Sequence, residues 1–134
     1  MATIVCGVDG SPGAGEAVRV AARLSKALGL RLVLAHVAPS RHGLHGIAAQ
    51  EQAVTLLVRV AREQGLNGDA DHRAEVGDRA TKLALIAAEE AATLIVVGSG
   101  NESRGLRSLR AGLTAELCGT ASCPVLIVPP AARH

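Results

Sequence analysis

The sequence predicts a single α/β domain built on a parallel sheet, and three observations predict it. Short aliphatic or β-branched runs alternate along the chain with longer segments whose apolar residues recur at three- and four-residue intervals. The short runs are nearly unbroken Val, Ile and Leu, as in strands buried on both faces. Glycine- or proline-bearing turns separate the two kinds of segment. The expectation is one Rossmann-like domain over residues 1–134, with five parallel strands and four helices on both faces. Right-handed crossovers with one reversal of winding give strand order 3-2-1-4-5, so that strand 1 lies beside strand 4.

Thr3–Val8 is the first β-branched run, followed by the turn residues Asp9-Gly10-Ser11-Pro12. Ala14, Ala17, Val18, Ala21, Leu24 and Leu28 then recur at helical spacing, opposite Arg19, Arg23 and Lys26. Ser11 is the expected N-cap, Pro12 the first helical residue, and Gly29 the stop. Arg31–Ala38 reads as the second strand and 39–45 as a loop. The second helix spans Gly46 to Gln64, with Val54, Leu57, Val58 and Ala61 facing inward. Ala70–Val76 is a polar strand suited to a sheet edge. Asp78 caps a third helix that buries Ala80, Leu83, Ala84, Ala87 and Ala91. Leu94–Val97 is the fourth strand, and Leu106, Leu109, Leu113 and Leu117 form a fourth helical stripe. Val125–Val128 is the fifth strand, ended by Pro129-Pro130.

Composition excludes several functions. The formal net charge is +2 and the chain has no Phe, Tyr or Trp. Bases cannot stack on aromatic side chains here, so no nucleic-acid partner is expected. Cys6, Cys118 and Cys123 form neither a disulfide framework nor a zinc motif. Their odd number fits a reducing compartment. No basic segment precedes the first apolar run, and no run approaches membrane-spanning length. The expected location is the cytoplasm, with no membrane partner.

The most informative stretch is 94–128, where two apolar runs bracket a glycine-bearing loop containing Arg104, Arg107 and Arg110 against Glu102. A buried strand that stops at glycine and a loop that opens a helix can gather backbone N–H groups around phosphate. In order along the chain, IVCGVDGSP (4–12), LVLAHVAP (32–39), VGD (76–78), LIVVGS (94–99) and CPVLIVP (123–129) resemble the universal stress protein family. That resemblance implies a Rossmann-like fold, usually dimeric, in a family with ATP-binding and non-binding members. It places adenine and ribose against Val8, Asp9, Gly10 and Ser11 and the second-strand end at His36 and Val37. It also implies a G-x2-G-x9-G-[S/T] loop that holds the phosphates.

This chain departs from that loop. Gly98, followed by Ser99, holds the first position, but Asn101 replaces the second glycine. Ala111 stands at the third, and Gly112 at the hydroxyl residue. Asn tolerates left-handed backbone and Ala is the smallest replacement for a crowded glycine. The N–H groups of Ala111, Gly112 and Leu113 remain available, and Thr114 matches a position at which Ser or Thr often meets phosphate. The residues therefore leave both branches of the family open. ATP, with Mg²⁺ or Mn²⁺ on its phosphates, is the expected ligand if the site is retained. Gly98→Val is expected to abolish a nucleotide response and leave the fold largely intact.

The leading expectation is a small stress-response protein, a binding or regulatory homodimer paired through the apolar fifth strand (125–128). One rival is a structural interaction module of the same fold that binds no nucleotide. Another is an adenine nucleotide α-hydrolase, whose SGG-x-D-S loop GVDGS matches poorly. No catalytic residue or protein-bound metal is expected, and weak ATP hydrolysis is the most activity anticipated. Asp9 has two readings, ligand acceptor or turn cap. His42 and His45 read as loop residues, and Cys123 as buried rather than reactive.

Overall fold

The computed structural model describes residues 2–11, 13–39, 46–66, 68–99 and 115–130. Its elements run β1 (Thr3–Gly7), α1 (Ala14–Leu28), β2 (Arg31–Ala38), α2 (Ile47–Glu63), β3 (Asp71–Val76), α3 (Arg79–Glu89), β4 (Ala92–Gly98) and β5 (Val125–Val128). Residues 115–120, ahead of β5, are helical and are called α4. The strands form one parallel sheet in the order β3-β2-β1-β4-β5, as expected. The expected leucine stripe at 106, 109 and 113 lies outside the described residues, as does most of the 39–45 loop.

Alternation along the strands feeds two cores. Ile4, Cys6, Leu32, Leu34 and Val96 point to α1 and α2, where Ala17, Val18, Ala21 and Leu57 are fully buried. Val5, Val33, Ile95 and Val97 point to the other face, against Leu83, Ile86 and Leu117. Both layers are aliphatic, which is how a chain without aromatic residues still excludes water on both sides of its sheet.

Several boundaries differ from the sequence pattern. β4 begins at Ala92, because a register shift between Thr3 and Ile4 pairs Thr3 with Ala92 and Ile4 with Leu94. Thr93 is the extra residue, and its polarity hid the strand's start. In α2 the inward stripe is Ala49, Ala53, Leu57, Val60 and Ala61, whereas Val54 and Val58 are 42% and 38% exposed. The small alanines let the helix approach the sheet and turn the larger valines outward. Leu28, in the last turn of α1, is 60% exposed. In α3, Ile86 is buried, Ala84 is only partly so, and Ala91 lies past the helix at φ 55°.

Helix ends follow local chemistry. Asp78 Oδ2 accepts the Thr81 N–H at 3.0 Å, the expected N-cap of α3. Gly29 closes α1 in the left-handed region at φ 68°, its N–H on the Ser25 carbonyl. Ser11 does not cap α1. Gly13 holds that position without a side-chain bond, because the Ser11 hydroxyl is drawn back onto Asp9.

Charge fastens the amino ends of the strands. Arg73 on β3 reaches Glu90 at 2.8 Å, Glu89 at 2.7 Å and Glu75 at 3.3 Å. Arg31 on β2 binds Asp71 at 2.7 Å and also contacts Glu90. Glu89 and Glu90 sit at the carboxyl end of α3, where the helix dipole disfavours anions, so the arginines offset that cost. Hydrogen bonding from Arg73 outweighs burial and, with Arg31, holds the Glu90 carboxyl below the usual carboxylate range. A depressed carboxylate stabilises the fold above its unfolded pKa and loses that effect as pH falls. Glu90→Gln is therefore expected to lower stability by roughly 1 kcal/mol at pH 7. The gap to the parent should close in urea titrations below about pH 4.

Candidate functional site

The reversal of winding between β1 and β4 opens a cleft at the carboxyl ends of the strands. Gly7, Val8 and Asp9 from β1 and the turn after it, Ala35 and Val37 from β2, and Val97 and Gly98 from β4 line it. Arg79 and Leu83 from the first turns of α3 close one side. The described walls enclose only about 40 Å³. Small-molecule sites occupy roughly 300–1,000 Å³, so these residues form one side of a site.

Asp9 is the charged centre of the cleft. Its Oδ1 accepts the Ser11 N–H at 2.9 Å and the Ser11 hydroxyl at 2.5 Å. Its Oδ2 lies 3.3 Å from Arg79 Nη2. Burial pushes the carboxyl up, but the Ser11 bonds and Arg79 outweigh it, so Asp9 is held below the usual carboxylate range. The turn-cap reading is thus realised in the described geometry, and a carboxylate oxygen with one donor retains further acceptor capacity.

His36 stands on the opposite face of β2, the face packed by α1 and α2, and is not among the cleft's walls. Its Nδ1 is 2.5 Å from the Val8 carbonyl oxygen. A carbonyl only accepts, so Nδ1 carries the proton. The Val8 N–H donates to the Ala35 carbonyl at 2.7 Å. Both bonds fasten the residue ahead of Asp9 to β2, which gives His36 a positioning role.

Of the residues singled out in the sequence, the structure gathers Val8, Asp9, Val37 and Gly98 in one cleft. Gly10 and Ser11 lie in the adjoining turn, exposed and half-buried. Ser99 carries the ladder onward, its N–H on the Val128 carbonyl at 2.8 Å. Asn101, Ala111, Gly112, Leu113 and Thr114 lie outside the described residues. Arg79 and Leu83 were missed by the sequence reading. A right-handed crossover from β3 to β4 must begin over the carboxyl ends, so the residue after the Asp78 cap could have been placed there.

Cys6 is buried in the core under α1 and α2, and its thiol is pushed up to about 12 by burial, with the Asp9 charge adding to it. It is an inert packing residue. Cys123 is half-buried and its thiol is also raised by burial. Among the described residues no three His, Cys, Asp or Glu side chains are placed to hold a metal. No described helix is long and apolar enough to cross a membrane.

The universal stress protein family model matches residues 1–129. The chain belongs to that family. No curated protein matches it. Among solved structures, a universal stress protein in complex with cAMP is similar at a TM-score of 0.75 and 24% identity, over 97% of this chain and 98% of its own. A universal stress protein from Archaeoglobus fulgidus in complex with dAMP is similar at 0.66 and 20%, over 96% and 98%. A member from Burkholderia pseudomallei is similar at 0.71 and 25%, over 97% and 96%.

Gly98 has a packing reason to be glycine. A Cβ there would lie 3.2 Å from the Gly13 carbonyl oxygen and 3.6 Å from its carbon, both backbone atoms at the start of α1. Side-chain motion cannot relieve that contact. Gly98→Val is therefore not neutral for the fold. It is expected to destabilise by roughly 1–3 kcal/mol, read as a lower urea midpoint with an unchanged slope.

Proposed function

We propose that this universal stress protein is a cytoplasmic, homodimeric regulatory protein that binds an adenine nucleotide at the β1/β4 seam. The observation that carries the reading is the meeting of Asp9, Val37 and Gly98 on one aliphatic cleft where the winding reverses. The residues present fit one part of such a ligand. Val37, Val97 and Leu83 offer an apolar wall to a flat base in a chain without aromatic residues, and Asp9 offers an acceptor to a ribose hydroxyl. Two members with this fold are described in complex with cAMP and dAMP, which supports an adenine ligand here. ATP is the ligand proposed, its phosphates over Gly98, Ser99, Asn101 and Ala111–Thr114 with Mg²⁺ or Mn²⁺ riding on them. The dimer is proposed through β5, whose Leu126 is 36% exposed on a strand paired on one side only among the described strands.

A second reading has its own observation. Ser11 and Arg79 already engage both Asp9 oxygens, and packing on Gly13 already explains Gly98. Two residues of the ligand reading are thus accounted for without a ligand, which favours an interaction module that binds no nucleotide.

The two readings separate by spectroscopy and melting. With no Tyr or Trp the protein is nearly transparent at 280 nm, so co-purified adenine would dominate its near-ultraviolet spectrum. Mg–ATP at one hundred times its dissociation constant should stabilise the fold by about 2.7 kcal/mol. Asp9→Asn should weaken that response at least tenfold while melting within a few degrees of the parent. A clean spectrum with no shift for ATP, AMP or cAMP would establish the interaction module instead.

A further inference from the structure

One flank of α2 carries both a knob and a hollow. Ile47 is 76% exposed, the highest value among the exposed large apolar side chains of the described residues, and Val54 and Val58 are also exposed. At 100° per residue these three fall within about 40° of arc, with Glu51 and Arg62 beside them. Further along the same flank lies a hollow of about 230 Å³, lined by Val58, Ala61, Arg62, Leu66, Ala70 and His72. The helical residues lining the hollow stand roughly 16–22 Å from Ile47 along the helix at about 1.5 Å per residue.

We infer that two copies of this chain pair antiparallel through α2, each seating Ile47 in the hollow of the other. A two-fold axis lying between the two copies, level with the bond from residue 56 to 57, brings Ile47 level with Leu66 of the partner copy. The same axis brings Glu51 level with Arg62, and interleaves Val54 and Val58 at the centre. The occupant is a second copy because the flank complements itself. The knob end carries an acid and the hollow end a base, as a closed isologous contact requires. Among the described residues the ion pair within α2 is Arg59 with Glu63, so Glu51 and Arg62 have no such partner there.

The neighbouring strand edge favours helix pairing over strand addition. This flank overhangs the outer edge of β3, where Gln50 Nε2 donates to the Ala74 carbonyl at 3.0 Å. Asp71, His72, Arg73 and Glu75 fill that strand with charge and polarity, which discourages a further strand. β3 and β5 lie at opposite ends of the sheet, so the α2 contact adds to pairing through β5 and is independent of any nucleotide.

Sedimentation equilibrium of the full chain tests it, with pairing through β5 contributing a fixed factor and the α2 contact a further doubling. Ile47→Glu lies in the first turn of α2, where an acid suits the helix dipole, and should weaken that doubling at least tenfold. Glu51→Arg and Arg62→Glu should each weaken it several-fold. A one-to-one mixture of these two variants should recover it, since each restores the opposite charge across the contact, and the recovery should fade with salt. An unchanged mass in Ile47→Glu with a native melting curve would overturn the inference. So would a mixture no more associated than its components, a result that does not depend on Ile47→Glu folding.

Discussion

The parallel pairing of Ile4–Gly7 with Leu94–Val97 is the constraint on which the rest of the molecule depends. Chain leaving β1 turns to one face as α1, while chain reaching β4 arrives from the other face as α3. These two helices lie on opposite faces of the sheet, and among the described residues the cleft opens between them at the strand ends. The pairing holds because Ile4, Val5, Cys6, Ile95 and Val96 are fully buried between two aliphatic layers. Opening it would expose both cores at once. The close approach of Gly98 to Gly13 belongs to the same constraint, since it sets how near the start of α1 can come to the end of β4.

Asp9 shows how a strand end is made ready for chemistry without committing to it. Its turn is fixed from below by His36 and Ala35 on Val8, from within by Ser11, and from the side by Arg79. Ser11 and Arg79 thus hold the carboxylate itself, while two neighbouring groups of β2 hold the backbone just ahead of it. Because its pKa is depressed, the carboxylate is charged at neutral pH and stabilises the turn above the ordinary carboxylate range, losing that effect as pH falls. Arg79 is half-exposed, so its attraction for Asp9 is partly screened by solvent. Ser11 is the more permanent partner, since its two bonds lie within one turn.

The fold was legible because strand burial leaves a coarse and redundant signal. Four aliphatic runs and one polar edge strand, separated by helical periods, admit few topologies, and right-handed crossovers select the observed order. Errors fell where the signal is fine. Four of the seventeen residues of α2 are alanine, and alanine reports little about facing, so Val54 and Val58 were assigned inward on spacing alone. Thr93 masked the start of β4 because a bulge tolerates a polar residue that a buried ladder would not. The candidate cleft was only half legible. Asp9, Val37 and Gly98 lie at strand ends, which topology places, whereas Arg79 enters through a crossover and bears no motif. Gly98 illustrates a subtler limit, since a glycine spacing cannot distinguish a ligand cradle from a helix packed against a strand.

The two ends of the sheet differ in how their charges are paired. At the amino ends, Arg31 and Arg73 bind four carboxylates from β3 and the end of α3, joining edge strand, neighbour and helix in one network. At the carboxyl ends one acid and one arginine face each other across a shallow gap. Charges that satisfy one another in a dense network have little to offer a ligand, and a sparse pair has more. Fastening β3 and α3 at the far end also fixes the angle at which α3 begins, and hence where Arg79 and Leu83 stand beside the cleft. The network and the cleft are thus joined through the length of α3. Loosening it should reach the cleft as a rotation of α3 about its packed middle, where Leu83, Ile86 and Ala87 remain buried.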